Sequence, residues 1–280
     1  NHKRDNTSQR QLDIIKEILP KIKTNDIGII APYNNQVDLI KQNIQDIEVS
    51  TVHKFQGREK DVIIISTVDD EISDFVADSN ILNVAISRAK KELIFIVTGN
   101  NIKNQNIKDF IDYTKYINME VEESNIYSVF DLLYKQYEKE RLDYFKKHKK
   151  ISNYDSENIM YYLLNKTLED YKDLTFAFRY PVNILIKDKT LLTEEERKYA
   201  SHHNTHIDFL IYNKISKIPL LVIEVDGYKY HKEDNKQKER DILKNNILSK
   251  YNIPLIRLTT NGSREERIIR SKLDEIVNNK

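Results

Sequence analysis

The sequence predicts an α/β protein in three parts: a parallel-sheet domain over residues 1–100, a helical connector over 101–151, and a small second α/β domain over 152–280. Three observations lead there. Apolar β-branched runs alternate with amphipathic stretches through the first hundred residues, the pattern of strands joined by crossover helices. From 100 to 150 the chain is rich in Asn, Lys, Tyr and Glu, contains neither Pro nor Gly, and reads as helical. After Ser152 the order becomes helix, antiparallel strands, helix, strand and helix, enough for a separate core.

Each element has its own warrant. Residues 8–23 place Leu12, Ile15, Ile18 and Leu19 at helical spacing. "DIGIIAPY" (26–33) predicts a short buried strand ending at Pro32, and 34–44 a helix with Val37, Ile40 and Ile44 on one side. "VSTVHKF" (49–55) reads as extended. "DVIIISTV" (61–68) is a continuous β-branched run of the kind buried on both faces in parallel sheets. Residues 79–91 predict a helix and "ELIFIVTG" (92–99) another buried strand. In the second domain, 158–171 reads as helical, 176–186 as extended, and "THIDFLIY" (205–212) with "PLLVIEVDG" (219–227) as a hairpin pair. A long helix over 235–251, a strand over 253–259 and a closing helix over 263–277 follow.

Composition narrows the function classes. Charged residues make up 32% and hydrophobic ones 39% of the 280 residues, values of a globular α/β chain. No apolar run approaches the roughly 18 residues of a membrane helix, so no membrane partner is expected. The absence of cysteine excludes disulfides and thiolate metal sites and fits the cytoplasm. The opening "NHKRDNTSQR" has no apolar signal core and no initiator Met, so the chain is expected to be a piece of a longer protein. A net charge of +1 exerts no global pull on nucleic acid. Local patches remain: residues 135–150 carry seven Lys/Arg against three acids, and 229–250 seven against four.

Three stretches carry a family pattern. "IGIIAPYNNQV" (27–37), "STVHKFQGREKDVIIISTV" (50–68) and "NVAISRAKKELIFIV" (83–97) resemble, in order and spacing, motifs IV, V and VI of superfamily 1 helicases. The Upf1-like branch is the nearest pattern, with Q-G-x-E-x-D-V and N-V-A-x-S/T-R-A. The resemblance covers about residues 8–100 and implies a second RecA-like motor domain. In such motors ATP and Mg²⁺ lie between two domains, and the second supplies an arginine to the γ-phosphate. Arg88 matches that arginine, its fixed guanidinium fork suited to phosphate oxygens. Gln56, Gly57 and Glu59 match the motif V loop beside the nucleotide, and Tyr33 and Gln36 match motif IV, also beside it. Ser50, Thr51 and His53 fall where motif V touches the nucleic-acid backbone, although His53 reads equally as an ordinary strand-end histidine. Position 87 is Ser where Thr is common, and position 81 is Ile where the family usually has a basic residue. The 280 residues contain no G-x-x-x-x-G-K-S/T and no D-E-x-x box after a strand, so the resemblance implies an N-terminal helicase domain of the same protein as partner, and no ATP turnover by this chain alone.

The second domain suggests a metal. Asp208 lies on one strand of the hairpin pair and Glu224 on the next, with Asp226 two positions on and therefore on the same face. Converging carboxylates repel unless a cation sits among them, and hard oxygen ligands suit Mg²⁺ or Mn²⁺. The same residues also read as structural, satisfied by Arg257 or Lys244. The pattern D-F-x…V/I-E-x-D-G resembles the PD-(D/E)xK nucleases of the very-short-patch-repair endonuclease type, over about 152–262. That resemblance implies a restriction-endonuclease-like fold, Asp208 and Glu224 as metal ligands, and Glu157 as the acid of the first helix. Asp226 stands where the usual Lys would be; Arg240, Asp241 or Lys244 is expected to supply the cation or steady the fold, and His231 to lie nearby. Lys229, Lys232, Lys236 and Lys238 are expected to hold a phosphate backbone, and Tyr228 and Tyr230 to stack on bases.

The expected whole is the C-terminal part of an ATP-dependent helicase–nuclease acting on DNA, single-stranded for the motor. Two rivals stand beside it: a nuclease fold kept only as a nucleic-acid-binding module, and RNA as substrate.

Overall fold

The computed structural model describes residues 3, 5–69, 73, 76, 78–97, 104–117, 119–124, 126–134, 137–227 and 235–278. The chain divides into two compact units, residues 1–127 and 128–280. The expected connector is thereby split, α4 (Gln105–Tyr116) going with the first unit and α5 (Glu138–Lys147) with the second.

In the first unit β1 (Ile27–Ile30), β2 (Glu48–Ser50), β3 (Lys60–Ser66) and β4 (Ala89–Ile96) form a RecA-like, wholly parallel sheet in the order β2-β1-β3-β4. Val62–Ile65 of β3 are buried on both faces, as a continuous β-branched run in a parallel sheet should be. One face packs Ile29, Ile64, Leu12, Ile15, Val37 and Ile40, the last four from α1 (Gln9–Ile18) and α2 (Asn34–Asn43). The other packs Ile30, Ile63, Phe55 and Ala85, the last from α3 (Ser79–Ile86).

Two sequence expectations change here, for one topological reason each. "VSTVHKF" is extended only as far as Ser50 and then tightens into a 3-10 turn over His53–Phe55. The chain must pass from the C-terminal end of β2 to the N-terminal start of β3 on the far side of β1, so it crosses β1 rather than continuing along it. It crosses at Gly28. A Cβ there would stand 2.5 Å from Phe55 Cζ and 2.9 Å from Ile63 Cδ1. The second change is that Ala89–Lys91, expected in a helix, begins β4 instead. Lys60 pairs with Ala89, and the Lys60 amide donates to the Arg88 carbonyl at 3.0 Å. The long strand β3 therefore takes a partner along its whole length.

In the second unit β5 (Leu174–Pro181), β6 (His206–Asn213), β7 (Pro219–Asp226) and β8 (Leu255–Thr259) are neighbours in that order. β5/β6 and β6/β7 are antiparallel and β7/β8 parallel. Phe209, Ile211, Leu221 and Ile223 pack under α6 (Asp155–Thr167) and α10 (Glu265–Asn278). Leu210 and Val222 face the opposite way, toward α8 (Glu194–Ser201) and α9 (Asn235–Lys250), with Ile247 and Leu248. The stretch 176–186 is not extended throughout: the strand stops at Pro181, and Val182–Leu185 make the single helical turn α7. Proline fixes φ and has no N–H for the ladder, which ends the strand there. Residues 128–133 join this unit because buried Glu265 accepts from Ser128 Oγ at 2.7 Å and from the Val129 amide at 3.1 Å. Among the described residues no helix is long and apolar enough to cross a membrane.

Gly28→Ala should destabilise the first unit by about 1–3 kcal/mol through overpacking. Adding Phe55→Leu should recover part of that loss, as read by denaturant melts of the single and double variants. Equal melts for wild type and Gly28→Ala would refute the crossing contact.

Candidate functional site

The predicted motor residues fall at two ends of the first sheet. Gln56, Gly57 and Glu59 are exposed just before β3, and Arg88 directly precedes β4. The Lys60–Arg88 backbone bond ties the two segments together at the N-terminal edge. Gly57 sits at φ +77, where a side chain would be strained although the space is open. The Arg88 guanidinium, half-buried, folds back on the end of α3: Nε donates to the Val84 carbonyl at 3.2 Å and Nη2 to Ser87 Oγ at 2.9 Å. A fork held so leaves Nη1 without a hydrogen bond to a described residue.

Ser50, Thr51 and Tyr33 lie at the opposite, C-terminal edge, where Ile30 is level with Ser50 and Ile65. The seven residues of β3 separate the two edges by about 20 Å at roughly 3.3 Å per residue. Tyr33, expected beside the nucleotide with Gln56 and Arg88, is therefore not brought to them. Its hydroxyl donates to Asp69 Oδ1 at 2.9 Å, and Lys3 Nζ lies 4.3 Å from its ring centroid and 2.8 Å from Asp69 Oδ1. Gln36 is fully buried. Its Oε1 accepts from the Ser8 amide at 2.7 Å, and its Nε2 donates to the Ser8 carbonyl and Ser66 Oγ, both at 3.3 Å. This amide ties the cap of α1 to the end of β3, a fold contact in place of the expected nucleotide contact. His53 is exposed within the 3-10 turn. Sequence reasoning missed Asp69, which follows a turn with Val68 at φ 67 closed by the Asp69 amide on the Thr67 carbonyl at 2.7 Å. A β-branched residue at positive φ is a strained position, and no one-dimensional pattern signals it.

In the second unit the pairing register lines up a row of charges across all four strands. Phe209 pairs with Ile223, so one step outward Asp208 stands opposite Glu224; Glu224 pairs with Arg257 on β8. Asp208 and Glu224 are locked together: the Asp208 amide donates to Glu224 Oε1 at 3.3 Å, and Asp208 Oδ2 accepts from the Val225 amide at 2.9 Å. From α9, Lys244 Nζ reaches Glu224 Oε2 at 2.6 Å. Glu224 is 4% exposed and Lys244 8%. Burial pushes the Glu224 carboxyl up to about 7, Asp208 adding to the effect while Lys244 pulls against it. Burial also works against the Lys244 ammonium, but the Glu224 charge more than offsets it and holds the amine above its ordinary value. Glu157, at the start of α6, is 8% exposed; it accepts from Ser152 Oγ and lies 3.7 Å from Arg179 Nε. Burial raises its pKa, opposed by the Ser152 bond and reinforced by the charge of Asp208.

The expected three-carboxylate cluster does not form. Asp226 turns to Arg257, Oδ1 accepting from Nη1 at 2.9 Å, and the same guanidinium reaches Asp241 at 3.3 Å and Asn245 at 3.0 Å. A cation on the parallel neighbour strand neutralises it. Among the described residues no three His, Asp or Glu side chains gather at metal-binding distances. Asp208 and Glu224 remain as a pair, which fits Mg²⁺ or Mn²⁺ bound through one or two carboxylates, with water and substrate oxygens completing the shell. Of the three α9 candidates, Lys244 reaches Glu224, Asp241 reaches Arg257, and Arg240 is exposed. Tyr228, Lys229, Tyr230, His231, Lys232 and the Lys236 side chain lie outside the described residues; Lys238 is exposed.

Comparison with known proteins follows the same division. Residues 5–102 match the model of a family described as an AAA domain, and residues 149–276 that of a family described as a protein of unknown function, DUF2726. The chain is 38% identical over 119 residues to an uncharacterized ATP-dependent helicase of Methanocaldococcus jannaschii, covering 40% of this chain and 18% of that protein. It is 40% identical over 108 residues to the DNA polymerase alpha-associated DNA helicase A of Saccharomyces cerevisiae, covering 33% and 15%. It is 44% identical over 80 residues to the DNA replication ATP-dependent helicase/nuclease DNA2 of Homo sapiens, covering 26% and 8%. The first unit has the make-up of the C-terminal part of a superfamily 1 helicase. The chain spans less than a fifth of the length of these relatives.

Two outcomes check this geometry. Lys244→Met should cost about 3–5 kcal/mol by leaving Glu224 buried without its cation, and Glu224→Leu with Lys244→Met should cost clearly less than the two single changes added together. Denaturant melts of the four proteins measure it. At Asp69, burial raises the carboxyl, but the hydrogen bonds from Lys3, Ser73 and Tyr33 prevail and hold its pKa below 3.8. A depressed folded pKa gives stability above the unfolded value that is lost as pH falls through the folded one. Asp69→Asn should therefore lower Tm at pH 7, and the difference should close below pH 3.8.

Proposed function

We propose that this chain is the C-terminal part of an ATP-dependent helicase–nuclease acting on DNA, with a second motor domain in residues 1–100 and a metal-dependent phosphodiester-cleaving domain in residues 152–280. The observation that carries the nuclease half is Lys244 Nζ at 2.6 Å from Glu224, beside Asp208. Two carboxylates and a lysine are the side chains of a PD-(D/E)xK site, and here the lysine arrives from α9 in place of the strand position held by Asp226.

In the motor half, Arg88 forks onto the γ-phosphate of ATP whose P-loop and Mg²⁺ carboxylates belong to a domain outside these 280 residues. The loop over Gln56–Glu59 borders the nucleotide at the same edge. Ser50 and Thr51, at the other edge, meet the backbone of single-stranded DNA. In the nuclease half, Asp208 and Glu224 hold Mg²⁺ or Mn²⁺, which would supply Lewis-acid polarisation of the phosphodiester and an activated water. Lys244 opposes the upward push of burial on the Glu224 carboxyl and places positive charge where negative charge develops on the phosphate. Glu157, with a raised pKa, is suited to hold or move a proton at the rim. The same site also supports a second reading. Both Glu224 oxygens are already engaged, by Lys244 and the Asp208 amide, as in a module that binds nucleic acid without cutting it.

Titrating Mn²⁺ and Mg²⁺ against plasmid DNA and RNA separates these readings. Cleavage of DNA is expected, lost in Asp208→Ala and reduced at least a hundredfold in Lys244→Met. No cleavage with either metal would favour the binding module, cleavage of RNA alone would move the substrate, and cleavage untouched by Asp208→Ala would place the chemistry elsewhere. This chain alone should not turn over ATP; measurable hydrolysis would overturn the division of the nucleotide site between two domains.

A further inference from the structure

Arg179 belongs to the charged row but has no part in the chemistry above. On β5, Phe178 pairs with Phe209 and Tyr180 with Ile207, so Arg179 stands opposite Asp208. It sits at φ 51, the left-handed region that a residue with a Cβ enters only at a cost, and such positions cluster at functional sites. The side chain is 44% exposed, and its charged contact among the described residues is Glu157 Oε2 at 3.7 Å. The guanidinium also lies 5.8 Å from the Phe178 ring. None of its five N–H donors makes a hydrogen bond to a described residue. This contrasts with the other guanidinium of the row: Arg257 is 21% exposed and spends its donors on Asp226, Asp241 and Asn245. One end of the row is closed by a committed arginine. The other holds an uncommitted one at the rim of the carboxylates.

We propose that Arg179 is the phosphate-binding residue of this site, receiving the backbone phosphate of a DNA strand laid across Asp208. Arginine's planar fork matches two phosphate oxygens at once. The long contact to Glu157 keeps the fork oriented without using it up. Carboxylates alone would repel a polyanion, so a cation at their rim is what admits the strand. The assignment rests on the nuclease reading for its meaning in catalysis, while phosphate contact itself can be measured without any metal.

The test uses the 280-residue chain in EDTA with fluorescein-labelled single- and double-stranded 20-mers, read by fluorescence anisotropy across a salt series. Arg179→Gly and Arg179→Asn both suit a left-handed backbone and both remove the fork. They should melt at or above the wild-type temperature and bind roughly tenfold or more weakly. The slope of log affinity against log salt should fall by about one phosphate contact. Asp208→Ala should bind at least as tightly as wild type. Folded Gly and Asn variants with wild-type affinity would overturn the assignment, as would a wild-type chain that binds neither probe at low salt. Should the wild type cleave nothing with any metal while Arg179→Gly still weakens binding, the nuclease reading falls and the phosphate contact stands. Metal-dependent cleavage by the wild type, with unaltered binding by Arg179→Gly, would overturn the phosphate contact and leave the nuclease reading in place.

Discussion

The contact between Lys244 and Glu224 governs the second unit. Each charge is almost wholly removed from water, and a buried charge persists only when paired and hydrogen-bonded. Lys244 meets that condition for one Glu224 oxygen and the Asp208 amide for the other. The sheet register then fixes Asp208 across from Glu224, and the Val225 amide fixes the Asp208 carboxylate. Three successive elements, β6, β7 and α9, converge on one point for electrostatic reasons. The packing beneath them, Leu210 and Val222 against Ile247 and Leu248, holds α9 where its lysine can reach.

The first unit depends on a different constraint, a crossing. Because β1 lies between β2 and β3, the segment after Ser50 has to traverse the sheet face, and Gly28 makes room for Phe55 to do so. That traverse is the stretch that resembles motif V. It runs from Ser50 and Thr51 at one edge of the sheet to Gln56–Glu59 and Arg88 at the other. In the proposed motor, one short segment thus touches nucleic acid at its start and nucleotide at its end. Phe55, in its middle, is fully buried.

The legible parts of the molecule were those written in local periodicity. Continuous β-branched runs such as Val62–Ile65 announced a parallel sheet, and the hairpin pair placed Asp208 near Glu224 because antiparallel pairing follows from adjacency in sequence. What escaped depended on contacts between distant segments. Asp226 read either as a third ligand or as satisfied by Arg257, and only the strand β8, bringing Arg257 alongside from 31 residues on, decides for the second. Gln36 matched a motif beside the nucleotide, yet the cap of α1 and Ser66 enclose it. Lys244 could be narrowed to three candidates on one helix, and only the helix's rotation on the sheet selects among them. The left-handed backbone of Arg179 has no sequence signature, since glycine is the residue that normally marks such a position.

If Asp208 and Glu224, with Lys244 at their back, form one divalent-cation site, that site must be visible in metal binding before any substrate is added. Calorimetric titration of Mn²⁺ into the chain and into Asp208→Asn decides the matter, with circular dichroism to verify that both are folded. One saturable site is expected in the wild type and none in the folded variant. Equal binding by both proteins, or none by either, would contradict it.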